Sequence, residues 1–140
     1  MHTSFCDHLE RPDHTVILST EFIEKLYQKL PKSYRLAIDR AEFCSLLEES
    51  FAIRALDDLM IIYLAQSKWC NSYEVITRWL PEAVLLKSAE ETELMSKIIT
   101  IIKRKKHFNI CIECQSLNHS HHLDDQICHS CLEKNHHYVF

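Results

Sequence analysis

From Ser19 to Leu30 the apolar residues Phe22, Ile23, Leu26, Tyr27 and Leu30 recur at the three-and-four spacing of a helix with one buried stripe. Glu21 sits in the first turn, where it complements the helix dipole, and Pro31 stops the run. A second run, from about Ser33 to Leu47, sets Ala37, Ala41, Cys44 and Leu47 on one stripe that Leu36 and Ile38 widen, and it predicts a second amphipathic helix. Ser50 reads as the cap of a third, strongly apolar helix whose Ile53, Leu56, Leu59, Met60, Tyr63 and Leu64 place it centrally.

Asn71 with Glu74 has the form of a capping box for a fourth helix carrying Val75, Ile76, Trp79 and Leu80, which Pro81 ends or kinks. Ser88 with Glu91 opens a fifth, with Leu94, Met95, Ile98, Ile99, Ile101 and Ile102 on its apolar side. Together these elements predict an all-α fold: an N-terminal tail over 1–18, a helical bundle as the body over 19–106 and a small four-cysteine zinc-binding module over 107–140. Leu26, Leu56, Leu59, Met60, Ile76, Trp79 and Ile98 are expected in one core.

Composition sharpens this picture at a few points. Of 140 residues, 46% are hydrophobic and 26% charged, a balance that supports a modest buried core and argues against disorder. There is no glycine, so glycine-dependent phosphate loops and dinucleotide fingerprints are excluded, and left-handed turns are expected at Asn, Asp or His. No apolar run approaches the roughly 18 to 20 residues that span a bilayer, and the N-terminus has neither a basic start nor an apolar stretch. A cytoplasmic protein without membrane contact is therefore expected.

Seven cysteines are an odd number for a disulfide framework, and four of them form two C-x2-C pairs, Cys111 with Cys114 and Cys128 with Cys131, separated by thirteen residues. Each pair can turn both sulfurs towards one ion, and the loop lets the second pair complete a tetrahedron, the closed geometry of a structural zinc site. One Zn2+ per chain is expected. His119 is a lesser candidate to replace one cysteine, and the other histidines of this region read as loop or supporting residues. Four sulfurs leave no open position for water, and no activated nucleophile is evident, so neither catalysis nor a small-molecule substrate is expected. Cys6, Cys44 and Cys70 are scattered; Cys44 and Cys70 lie in apolar surroundings and read as inert buried side chains.

The net charge of -4 is unevenly spread: residues 1–96 carry 10 basic and 16 acidic side chains, residues 97–140 carry 6 and 4. Lys103, Arg104, Lys105 and Lys106 stand in a row. They read either as a solvated helix end that complements the dipole or as a phosphate-contacting patch, four consecutive cations being more than capping requires.

The zinc segment, with its closely spaced His119 and His121 between the cysteine pairs, resembles the FlhC family of flagellar master-regulator subunits. WCNSY at 69–73 resembles the family's aromatic, Cys, Asn, small, aromatic sequence, and FIEKLYQKL at 22–30 is similar to an early family helix. The cysteine loop is shorter than the family's, and Gln115 and Ser116 stand where it has glycines. The resemblance implies a DNA-binding transcription activator that works with a protein partner, FlhD in that family, DNA being reached through the complex. A protein-interaction adaptor or anti-activator without DNA contact is the competing expectation, with a protein partner or a homo-oligomer in either case.

Overall fold

The structure, a computed structural model, describes residues 11–69, 75–124 and 126–136. It overturns the all-α expectation: the chain is a mixed α/β protein built on a four-stranded antiparallel sheet. The first helix forms as expected. α1 spans Thr20–Lys29, Ser19 caps it by accepting from the Phe22 amide at 3.1 Å, and Phe22, Leu26 and Tyr27 are buried.

The run from Ser33 to Leu47 is not one helix. It divides into α2, Lys32–Ala37, and α3, Arg40–Ser50, because Ile38 is extended and Asp39 is an N-cap, its carboxylate accepting from the Glu42 amide at 2.8 Å. That hydrogen bond, strengthened by the amide dipoles of the first turn, holds the Asp39 carboxyl below its ordinary range.

The central correction lies at residues 51–86, where the expected third and fourth helices are strands. Ser50 ends α3, and the chain passes into β2, Phe51–Leu56, β3, Leu59–Trp69, and β4, Val75–Leu86. β1, Thr15–Val16, pairs with β2 and completes the order β1-β2-β3-β4. Asp57 and Asp58 are the two-residue loop of a hairpin in which Leu56 faces Leu59, and Asp57 takes the left-handed conformation that aspartate tolerates, φ 53°. Pro81, which would break a helix, sits in β4 beside a bulge: Ala83 opposes Ile62 and Pro81 opposes Tyr63, leaving Glu82 unpaired. Asn71 and Glu74, the expected capping box, and residues 70–73 of WCNSY lie outside the described residues.

Strand pleating then sorts the expected core. Ile53, Ile62 and Leu64 point into one cluster with Leu26 of α1, Phe43 and Leu47 of α3, and Ile98, Ile101 and Ile102 of α4, which spans Glu91–Ile102. Met60 is partly buried against that cluster, and Ile76 is fully buried. Leu56 and Leu59, expected inside, are 43% and 39% exposed because they occupy the opposite face of the sheet. Trp79 is half-buried, with the Arg11 guanidinium 4.9 Å above its ring.

α4 begins two residues later than the Ser88 box suggests, with Glu90 as N-cap, and it ends at Ile102. The basic residues therefore form a turn after the helix and not its last turn. Beyond it come the hairpin of β5, Phe108–Ile110, and β6, Leu117–His119, then the short pair β7, Leu123–Asp124, and β8, Ile127–Cys128, and finally α5, His129–His136. Phe108 and Leu117 belong to the main core, and Phe108 stacks on Phe51 at 5.9 Å, so the cysteine-bearing segment shares its packing with the sheet and helices. No helix among the described residues is long and apolar enough to cross a membrane.

Candidate metal centre and the basic turn beside it

Cys111 and Cys114 lie on the turn after β5, Cys128 ends β8, and Cys131 is in the first turn of α5. Ile112 donates to the Gln126 carbonyl at 3.0 Å and so ties the first turn to the second, while Gln115 donates to the Cys111 carbonyl at 2.9 Å and Cys111 to the Ser116 carbonyl at 2.8 Å within the first turn. The four sulfurs lie within 4.8 Å of one another, with Cys111 to Cys131 and Cys114 to Cys128 both at 3.8 Å. A tetrahedron of thiolates at a metal–sulfur distance of about 2.3 Å has edges of about 3.8 Å. The same separation is almost twice a disulfide bond, and all four thiols are free. The donor set thus fits one thiophilic metal ion.

The thiols of the cluster differ in electrostatic setting. Burial raises the Cys111 thiol, but the amides of Cys114, Cys128 and Glu113 aim at its sulfur and bring it down to about 6; the Cys128 amide approaches to 3.4 Å. Cys128 and Cys131 are pushed up by burial and by the neighbouring thiols with which they share protons. A metal ion bound by all four sulfurs would displace the protons that Cys128 and Cys131 otherwise hold. Cys111, Cys128 and Cys131 are buried with Leu123 and Ile127 against them, while Cys114 reaches the surface and lies 2.9 Å from Ser116 Oγ. Glu113, between the first two cysteines, accepts from Asn135 at 3.0 Å and contacts His136 Nε2 at 2.6 Å, which ties α5 to the first turn and keeps its carboxyl below the usual range.

His119, the alternative ligand, has another task. Its Nε2 lies 2.8 Å from the Ala65 carbonyl, and its ring meets Phe108 edge-on at 4.9 Å. The β2–β3 ladder ends at Leu64, so His119 satisfies a carbonyl of β3 just beyond the end of its partner strand. Burial lowers its pKa to about 4, an effect to which the nearby His122 and His107 add and which the Ala65 bond only partly offsets. Cys44, expected to be buried, is only half-buried on α3, where burial and the adjacent Glu48 raise its pKa. Cys6 and Cys70 lie outside the described residues.

Lys103, Arg104, Lys105 and Lys106 are all exposed, yet they are not equivalent. Arg104 Nη1 bonds Glu82 Oε1 at 2.9 Å, and His107 Nε2 reaches the same oxygen at 2.8 Å, so the β4 bulge aims Glu82 at the turn. Ser120 holds the other side: its amide donates to the His107 carbonyl at 2.7 Å and its hydroxyl to the Lys105 carbonyl at 3.0 Å. Lys29 of α1 joins Lys103 and Arg104 along a groove of about 490 Å³ that Thr92, Ser96 and Thr100 also line. Glu82, Ser120 and the structural role of His119 were not legible in the sequence, since each acts on a partner separated along the chain: Glu82 and His119 act through strands that periodicity misassigned, and Ser120 reaches Lys105 across 15 residues.

The fold and the cluster define a mixed α/β protein with a segment, packed on its sheet, whose four cysteines could hold a metal ion. Protein-family models, curated proteins and solved structures contain no match to this chain.

Proposed function

We propose that this protein is a zinc-stabilised, DNA-binding regulator that acts in a complex with a partner subunit, as its resemblance to the FlhC family implies. The observation that carries the reading is the bracing of the basic turn: Ser120, between the cysteine pairs, holds the His107 and Lys105 carbonyls and leaves the lysine side chains exposed. Zinc is the metal we assign, because a closed shell of four thiolates suits it and leaves no place for a reacting water. Its role is to fix the segment that supports the turn, and its free thiols suit a reducing compartment such as the cytoplasm. Lys103, Lys105 and Lys106 then meet phosphates, with Lys29 along the groove beside Lys103, whereas Arg104 is largely committed to Glu82. The net charge of -4 makes affinity depend on assembly with a partner or a second copy.

The competing reading is an adaptor or anti-activator without direct DNA contact, which the acidic total and the exposed apolar residues Leu59, Val84 and Leu86 favour. An anisotropy titration of nucleic acid at several salt concentrations separates the two. The Lys103→Gln, Lys105→Gln, Lys106→Gln variant should bind more weakly on all sequences alike, with the salt slope reduced by about one unit per lost contact. Equal affinity and slope would remove the turn from any nucleic-acid interface, and absence of binding by the wild-type complex would favour the adaptor.

A further inference from the structure

We propose that the outer face of the β2–β3–β4 sheet is a two-fold interface that takes a second copy of this chain. The helices pack on the inner face, where Ile53, Ile62 and Leu64 lie. On the outer face the register sets apolar residues in adjacent rows, Leu56, Leu59 and Leu86 in one and Ile61 and Val84 in the next with Arg54 at its end; in the row beyond, Tyr63 and Pro81 lie beside Ala52, which is already buried within the chain. Leu56, Leu59, Val84 and Leu86 are 43%, 39%, 54% and 63% exposed. Large apolar side chains clustered in adjacent rows of one sheet face mark a surface that another sheet covers, since isolated exposed residues would be scattered.

The rim identifies the occupant. Asp57 and Asp58 stand exposed at the β2–β3 turn, and exposed Lys87 follows Leu86 at the same end, its amide bonded to the Asp58 carbonyl at 2.7 Å. A two-fold axis running along β3 within the interface lays β2 of one copy over β4 of the other. The acidic turn of each copy then approaches Lys87 of its mate, twice by symmetry, with Leu59 and Ile61 near the axis. A rim that carries both signs in this order is complementary to itself and has no one-signed field to select a charged foreign protein. Association through the free edge of β4 is the less suitable route, because Pro81 and the bulge at Glu82 interrupt that edge.

Sedimentation of the metal-loaded protein, without nucleic acid, tests the assignment from about 1 to 100 µM, a range in which a face of this kind should associate. The wild type should reach the mass of two chains. Val84→Glu with Leu86→Glu should raise the dimer dissociation constant by at least about thirtyfold, with circular dichroism and metal content unchanged. Lys87→Asp should weaken the dimer severalfold, and adding Asp57→Lys and Asp58→Lys to it should restore it. A wild type that stays monomeric at the highest concentration, a dimer indifferent to the Val84 and Leu86 changes, or a charge exchange that fails to restore association would each overturn the proposal.

Discussion

Gln126 and Gln115 hold left-handed backbone, φ 67° and 63°, next to the two halves of the cysteine cluster. For a residue with a Cβ this conformation costs roughly 1 kcal/mol, which glycine avoids. Gln115 recovers part of that through its side-chain amide, which donates to the Ile112 carbonyl at 3.0 Å. Gln126→Gly should therefore stabilise the metal-loaded protein by about 0.5 to 1 kcal/mol, whereas the branched Gln126→Val should destabilise it by more than about 1 kcal/mol; chemical denaturation decides both. His119 supplies a second residue-level expectation. Its pKa of about 4 lies below the ordinary 6.5, so the unfolded chain takes up a proton that the fold refuses. Stability from this site is whole above pH 6.5 and falls as pH drops towards 4, by up to about 3 kcal/mol. Because protons also compete for the cysteines, the measurement is the difference between wild type and His119→Gln, whose loss over this range should be shallower.

At the scale of the element, β3 carries neighbours with opposite fates. Ile62 is fully buried and Leu59 is 39% exposed. Ile62→Ala should cost about 2 to 5 kcal/mol, while Leu59→Ala, measured in dilute monomer, should cost no more than about 1 kcal/mol. A helix through 53–64 would bury Leu59 and reverse that expectation, so the pair tests the strand directly by denaturant unfolding. The helical spacing of Ile53, Leu56, Met60 and Leu64 was a true pattern with the wrong period, because an apolar run as continuous as Leu59 to Ala65 satisfies periods of 3.6 and 2 alike. Asp57–Asp58 between two apolar stretches, and Pro81 within the next, were the local signals for a hairpin and a bulged edge strand.

At the scale of the molecule, the metal segment and the basic turn form one mechanical unit. Chelation, or Cys128→Ser, should release the metal and expose the amides of 107–136 to hydrogen exchange, above all Ser120, whose bond to the His107 carbonyl braces the turn. The β2–β3 ladder should keep its protection, since Ile53, Ile62 and Leu64 are packed by α1, α3 and α4. Equal loss throughout would show that metal and core unfold as one, through the Phe108 and Leu117 contacts they share.

The sequence alone determined α1 and its Ser19 cap, the apolar face of α4 and the four-cysteine cluster, because each is specified by residues close together along the chain and by chemistry that few other arrangements satisfy. Tertiary structure alone decided that 51–86 is a sheet, that the lysines lie on a turn after α4 braced by Glu82 and Ser120, and that His119 satisfies a strand carbonyl and holds no metal position. Strand pairing and long-range hydrogen bonds draw their stability from partners distant in sequence, and in a buried apolar run those partners, not the local period, select the backbone conformation.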